Sequence, residues 1–341
     1  MPNKYNTLLI RLRPGTRELL DKAADDQRRS RASIIDEAIN AWGQQMRYLS
    51  VCSGIEAATV AWHELGWTPA AFSEIEPFPS AVLAHHYPEV PNLGDMTKYK
   101  EWNLGADGID LLVGGTPCQS FSVAGLRRGM DDPRGNLALV YCGLLDHLRP
   151  RWFVWENVPG VLSSNGGRDF GSFLGALAQL GYGFAYRVLD ARFFGVAQRR
   201  RRVFVVGHLA DWRPAAAVLF ERESLRRDTA PSREARDVTA RSIAHSVDEC
   251  GIQRTVGSLC TDTHPGAYSG QDAYTGRLIP QRMAVRRLTP TECERLQGFP
   301  DGYTNIKENC PDGPRYKALG NSMAVPVMRW IGQRIQMLEG L

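Results

Sequence analysis

From Tyr48 onward the chain alternates short apolar segments with helical ones, and few folds accept that rhythm. Tyr48–Ser53, Ala70–Glu74, Ile109–Gly114, Trp152–Glu156 and Arg202–Gly207 are strand-length runs, each ending in Ser, Glu or Gly. Helical stretches such as Ala57–Leu65 and Leu137–Leu148 lie between them. The pattern predicts an open, largely parallel α/β sheet. Ligands bind such sheets beyond the carboxyl ends of the strands, so the loops that follow each strand are where chemistry is expected.

The chain has 341 residues, enough for about two domains at roughly 100–200 residues each. Its 41 basic and 37 acidic residues leave a net charge of +4, which neither demands nor excludes nucleic acid. The kind of cation says more, because 35 are Arg and 6 are Lys. Arginine suits a bidentate grip on phosphates and base edges, although a GC-rich genome gives the same bias. No run of 18 apolar residues exists to span a membrane. The N-terminus, Met1-Pro2-Asn3-Lys4, lacks the apolar core of a signal peptide. Seven scattered cysteines without a C-x-x-C pair argue against a disulfide framework or a metal site and for a reducing cytoplasm.

Residues 1–45 read as a separate unit. Leu8-Leu9-Ile10-Arg11-Leu12 is a short apolar run stopped by Pro14-Gly15. Thr16 is placed to cap a helix to about Asp26, and Ser30 a second one bearing Ile35, Ala38, Ile39 and Trp42 on one face. Strand, helix, helix is too little for a core of its own, so the unit is expected to dimerise. Between His208 and Val285 the alternation fades. Glu221–Arg241 carries six Arg and five acidic residues with almost no apolar period. This stretch is expected to be an irregular insert or small second domain.

Three loops carry the chemical signal. Cys52-Ser53-Gly54-Ile55-Glu56 turns the first strand into a helix, and Glu74 closes the next strand 20 residues after Gly54. A glycine there lets a nucleotide approach the backbone, and an acid at that distance suits ribose hydroxyls, but the full G-x-G-x-x-G is absent. Gly114-Gly115-Thr116-Pro117-Cys118-Gln119-Ser120-Phe121-Ser122 sets a cysteine in a polar loop at a strand end. Its thiolate is a strong nucleophile if nearby cations lower a pKa of about 8.5. Trp155-Glu156-Asn157-Val158-Pro159 brings a carboxylate to the same sheet edge. In an extended Gln198-Arg199-Arg200-Arg201-Arg202, period two puts Gln198, Arg200 and Arg202 on one face.

The ordered series Gly114–Ser122, Glu156-Asn157-Val158, Gln198-x-Arg200-x-Arg202, Arg287-Leu288-Thr289-Pro290-x-Glu292 with Arg295-Leu296-x-Gly298-Phe299-Pro300, and Gly320-Asn321-Ser322 resembles the DNA cytosine-5 methyltransferase family. The resemblance implies a Rossmann-like S-adenosylmethionine-dependent methyltransferase sheet with a small target-recognition domain. It implies a catalytic domain over 46–207 completed by 318–341, and a recognition region over 208–317. Cys118 matches the nucleophile that adds to cytosine C6, Glu156 the group that protonates N3, and Arg200 and Arg202 the arginines beside the base. Ser53, Gly54, Ile55, Glu74, Ile75, Asp95, Met96, Pro117, Asn321 and Ser322 match contacts to S-adenosylmethionine. Gln119, Ser120 and Gln198 match the DNA side of the loop, with double-stranded DNA as partner and the target base flipped out.

Two departures stand out: Cys52-x-Gly54-x-Glu56 where the family usually has Phe-x-Gly-x-Gly, and Ile75 where an aromatic ring commonly packs on adenine. Base readers are expected within 208–285, with Arg254, Thr261 and Gln271 as good as any other. The N-terminal unit resembles a ribbon-helix-helix module, implying a homodimer whose Arg11 faces DNA and whose Arg28 and Arg31 hold phosphates. It would tether the enzyme or let it repress its own gene. The expectation is a cytoplasmic DNA cytosine-5 methyltransferase of bacterial or phage origin, of the restriction-modification type. A repressor with an inactive methylase body and an RNA cytosine methyltransferase are the alternatives.

Overall fold

The computed structural model describes residues 14–27, 30–35, 45–105, 108–117, 137–220, 278–281 and 284–340. Expectations for Leu8–Leu12, Arg11, Arg28, Cys118, Gln119, Ser120, Arg254, Thr261 and Gln271 lie outside the described residues.

The chain divides into two compact units at Gln45/Met46. In the first, a helix runs over Pro14–Gln27. Pro14-Gly15, expected to precede the helix, instead opens it, because the fixed φ of proline suits a first turn. Residues 31–35 are helical, and Ser30 caps them as expected, its Oγ accepting from the Ser33 amide at 3.1 Å. Arg31 is exposed and pairs with Asp21 of the preceding helix at 2.6 Å.

The second unit is built on a six-stranded sheet of order β2-β1-β3-β4-β6-β5. Its strands are β1 (Arg47–Val51), β2 (Thr68–Ser73), β3 (Leu111–Gly114), β4 (Trp152–Asn157), β5 (Tyr182–Asp190) and β6 (Arg201–Leu209). β1 pairs in parallel with both β2 and β3, and β3 with β4. Only β6 runs against its neighbours, β4 and β5. β3 and β4 are buried along their whole length, as central parallel strands should be. The chain leaves β1 in one direction for β2 and returns on its other side as β3. That reversal opens a crevice at the carboxyl ends of β1 and β3.

The expected strands are present with shifted ends, so Glu74 lies one residue beyond β2 rather than closing it. β5 was not foreseen. It is an edge strand with most side chains only half covered, and its sequence, Tyr-Gly-Phe-Ala-Tyr-Arg-Val-Leu-Asp, alternates weakly. The boundary expected at 207/208 falls inside β6, which continues to Leu209 because it pairs with all of β5. The helix Trp212–Leu219 then buries Ala215, Val218 and Leu219, and Arg334 of the last helix donates to the Val218 carbonyl at 2.6 Å. Residues 208–220 therefore pack on the catalytic sheet. A hairpin, β7 (Leu278–Gln281) with β8 (Ala284–Arg287), is the described part of the insert.

The C-terminal elements return to the start of the sheet. In Pro290–Gln297 the Thr289 hydroxyl and Glu292 carboxylate cap each other's backbone, with proline in the first turn and Gly298 left-handed at the end. Gln297 then donates to the Leu319 carbonyl at 2.6 Å, holding the helix Asp312–Asn321. The last helix, Val325–Glu339, packs on Ala57–Trp62, where the Trp62 indole donates to the Met328 carbonyl at 2.8 Å.

Packing between β4 and β6 leaves no slack. A Cβ added at Gly207 would lie 1.9 Å from the fully buried Phe153 ring. Gly207→Ala is expected to cost about 1–3 kcal/mol by overpacking, read as a melting temperature several degrees lower; an unchanged melt would show that the ring relaxes freely.

Candidate active site

A small cleft lies in the crevice between β1 and β3. Its floor is the end of β1 and the turn after it, with Ser50, Cys52, Ser53, Gly54 and Glu56. Val113 from β3, Gly115 just after it, Glu156 from β4, and Asn321, Ser322 and Met323 from the C-terminal turn complete the wall. Backbone sterics shape this turn. Cys52, Gly54 and Glu56 all have positive φ, at 48°, 56° and 65°. Nothing lies within 4 Å of a Cβ built on Gly54, so its backbone faces open space.

Hydrogen bonds hold the turn to the end of β2. The Ser53 amide donates to the Ser73 carbonyl at 3.2 Å, and the Ser53 hydroxyl accepts from the Ser73 amide at 3.1 Å. Glu74 accepts from Gly54 N at 2.8 Å through one oxygen and from Ile75 N and Glu76 N at 2.8 Å through the other. Ser73 donates to the Gly94 carbonyl at 2.6 Å, which brings Asp95 alongside. Asp95 caps its own short helix through Thr97 N at 2.9 Å. Ile75 is 68% exposed, an apolar side chain left free beside Glu74.

Of the residues expected to meet a cofactor, Ser53, Gly54, Asn321 and Ser322 line the cleft. Glu74, Ile75 and Asp95 stand next to it and are tied to it by the bonds above. The Ile55 side chain is fully buried as core, between the cleft residues Gly54 and Glu56. Only its carbonyl is engaged, accepting from the Tyr303 hydroxyl at 2.9 Å. Met96 is buried as well, 3.4 Å from the Cys52 sulfur. Burial, Glu74 and Asp95 push the Cys52 thiol up to about 12, which leaves it an inert thiol.

Glu156 sits at the end of β4, 8% exposed. Its Oε1 lies 3.0 Å from Arg202 Nε, an ion pair in which the oxygen has no well-aligned hydrogen-bond donor. Burial raises its pKa above the usual carboxylate value, and Arg200 and Arg202 pull the other way. The double glycine at the end of β3, Gly114 and the following Gly115, makes this placement possible. A Cβ on Gly115 would lie 2.9 Å from Glu156 Oε2, and one on Gly114 would lie 2.7 Å from the Val51 carbonyl. Asn157, not foreseen as a site residue, fixes the start of the cysteine loop. Its amide donates to the Thr116 carbonyl at 2.9 Å, and the Trp155 indole to the Thr116 hydroxyl at 3.0 Å. Pro117 then stands exposed, directly ahead of Cys118.

The arginine row alternates as period two requires: Gln198 and Arg200 are buried, Arg199 and Arg201 exposed, and Arg202 turns in again, half-buried. Gln198 is fully buried, and neither amide atom has a hydrogen-bond partner among the described residues. Arg200, expected beside the base, reaches the C-terminal turn. Its guanidinium donates to the carbonyls of Gly320 at 3.1 Å and Ser322 at 2.7 Å. These bonds tie the segment just before β6 to the C-terminal turn, and the same guanidinium lies near Glu156.

Glu56 was noted in the sequence only as a departure from pattern. It is 1% exposed, left-handed, and its carboxylate accepts from Ser50 Oγ at 2.8 Å and from Thr59 N at 3.2 Å. A side chain in that conformation costs roughly 1–2 kcal/mol, which the cap of the following helix offsets. Its position beside Gly54 was visible in the sequence; its burial was not.

The family model described as C-5 cytosine-specific DNA methylase matches residues 46–265 and 233–337. Among similar proteins is one named DNA N-6-adenine-methyltransferase, from Escherichia phage P1, 37% identical over 462 aligned positions. That alignment takes in 86% of this chain, which spans 61% of the phage protein's length. The Type II methyltransferase M2.BsuMI of Bacillus subtilis (strain 168) is 30% identical over 86% of this chain and 76% of its own. The Type II methyltransferase M.DsaV of Dactylococcopsis salina is 30% identical over 86% of each. The solved structure of S. pombe Dnmt2 methyltransferase shares the fold, at 18% identity and a TM-score of 0.60 over 87% of this chain.

The two inward arginines are expected to separate on substitution. Arg200→Ala strands two buried carbonyls and strips Glu156 of one cation, which should cost about 3–5 kcal/mol. Arg202→Ala, with its side chain partly in water, should cost visibly less. Urea midpoints measure both, and equal midpoints would contradict the division of roles.

Proposed function

The chain belongs to the C-5 cytosine-specific DNA methylase family, for which S-adenosylmethionine is the methyl donor, and from that premise we propose that it methylates cytosine C5 at a short sequence in double-stranded DNA. The observation that carries the reading is Glu156. It is a buried carboxyl of raised pKa paired with Arg202, one strand from the segment that leads into Cys118.

The cleft fits the methyl donor. Gly54 offers a left-handed backbone with open space where a Cβ would stand, and the polar turn Asn321-Ser322 faces it. Ser53, Gly54, Asn321 and Ser322 would hold the amino-acid end, Glu74 the ribose, and Ile75 and Asp95 the adenine. The donor, when bound, supplies an electrophilic methyl group.

Cytosine C5 is too poor a nucleophile to take that methyl unaided. With the base out of the stack, the Cys118 thiolate adds to C6, forming an S–C6 bond. Charge moves to N3, and Glu156 delivers its proton there. Arg202 keeps the resulting carboxylate solvated by a fixed cation, and its charge also favours the thiolate. C5, now enamine-like, would take the methyl group as the donor's S–CH3 bond breaks and its sulfur leaves as a neutral thioether. Loss of the C5 proton to a base then breaks the S–C6 bond, restores the ring and frees Cys118. The Asn157–Thr116 bond holds the backbone two residues ahead of Cys118 in the sequence.

The phage relative's printed name suggests adenine N6 as a second reading. An exocyclic amine attacks through its own nitrogen and needs neither a thiol nor a buried Glu–Arg pair. The alignment's 462 positions also exceed this chain, so that relative carries a long stretch with no counterpart here. Cytosine is therefore the better-supported target. Residues 1–45 are proposed as a dimeric DNA-binding module that tethers the enzyme or regulates its gene.

Methyl-labelled donor incubated with unmethylated duplex DNA should yield 5-methylcytosine on digestion to nucleosides. Cys118→Ser should yield none, and Glu156→Gln a rate lower by about 10²–10⁴-fold. N6-methyladenine as product, label in tRNA alone, or no label from wild type would overturn the proposal.

A further inference from the structure

Two buried carboxylates open on the same cleft, and their surroundings differ. Glu156 has Arg200 and Arg202 beside it. Glu56 has Ser50, Thr59 and Glu74 near it, and among the described residues no lysine or arginine pairs with it. The other groups packed around Glu56 are phenols: Tyr48 from β1, Tyr87 after the helix Pro77–His86, and Tyr303 from the segment after Gly298. Tyr48 is held by the Thr59 hydroxyl at 2.6 Å, and Tyr303 by the Ile55 carbonyl. None of these supplies a positive charge. A carboxylate out of water with no cation is costly, and the cheap escape is to keep its proton. Burial indeed raises the Glu56 pKa to about 7, against the pull of its hydrogen bonds to Ser50 and Thr59.

We propose that Glu56 is the counter-charge for the cationic methyl donor: neutral in the empty cleft, it gives up its proton when a sulfonium ligand enters. The proposal rests on the cleft being the methyl-donor site. The Glu56 proton would pass to bulk buffer, and the carboxylate, accepting from Ser50 Oγ and Thr59 N, would offset the ligand's positive charge. Once the methyl group has left, the ligand's sulfur is a neutral thioether, and a charged Glu56 has lost its partner. Glu56 thus makes the cleft favour the donor over its spent form, a discrimination that a glycine at this position cannot provide. It is a specificity-determining residue and touches no reacting atom of the base.

Calorimetric titration of the full-length protein at pH 6.5, in two buffers of different ionisation enthalpy, reads the protons released on binding. About three-quarters of Glu56 should be protonated at that pH if its pKa is about 7. S-adenosylmethionine is expected to release about half a proton or more per site, and S-adenosylhomocysteine clearly less. Glu56→Gln, which copies the neutral acid in shape, should bind both ligands without that release and lose several-fold in preference for the sulfonium. Equal release by wild type and Glu56→Gln would overturn the proposal, as would equal release with the two ligands in wild type alone. Binding without Glu56-dependent release defeats the counter-charge only. Absence of any binding defeats the reading of the cleft as the methyl-donor site, and the counter-charge with it.

Discussion

A carboxyl and a guanidinium 3.0 Å apart, Glu156 and Arg202, are the contact on which the rest of the site depends. A carboxylate taken out of water costs several kcal/mol unless cations meet it, so the fold has to deliver positive charge to the end of β4. It does so through the direction of one strand. Because β6 runs antiparallel to β4, its beginning lies beside β4's end, with Asn157 opposite Val203 and Glu156 opposite Phe204. A parallel β6 would have put the arginine run at the opposite rim. The single reversed strand in an otherwise parallel sheet is therefore what makes the acid site possible.

Around that pair, close approach is arranged by what is missing. Gly114 and Gly115, at and just past the end of β3, have no side chain to keep Val51 and Glu156 away, and Arg200 gathers the C-terminal turn so that Asn321 and Ser322 reach a cleft that begins at Ser50. The chain's last elements thus finish a pocket started by its first strand. Trp62 bonding to Met328 fastens the same closure on the other side of β1.

Much of this was legible in the sequence, for physical reasons. Central strands such as Leu111–Gly114 and the Trp152–Trp155 part of β4 are apolar on both faces and announce themselves. Gln198-x-Arg200-x-Arg202 obeyed the period of a strand, and the inward face is the one expected. What stayed hidden depends on the partner rather than the pattern. β5 covers an edge and alternates weakly. Arg200 and Arg202 are identical letters two positions apart, and only the sheet's geometry sends one to a backbone turn and the other to Glu156. Ile55 lies between two cleft residues, yet its side chain points into the core, because successive residues of the turn face different ways. Glu56 reads as a blemish in a glycine motif until its burial and its lack of a cation are seen.

The account stands on a thiol of this chain bonding to the target base while Glu156 serves N3. DNA copied with 5-fluorocytosine in place of cytosine tests that directly. The thiolate adds to C6 and C5 takes the methyl, but fluorine cannot leave as a cation, so the S–C6 bond cannot break. With S-adenosylmethionine present, the account predicts a protein–DNA adduct that survives denaturation and maps by peptide mass to Cys118. Methylation of ordinary DNA without any such adduct on the fluorinated DNA would contradict it.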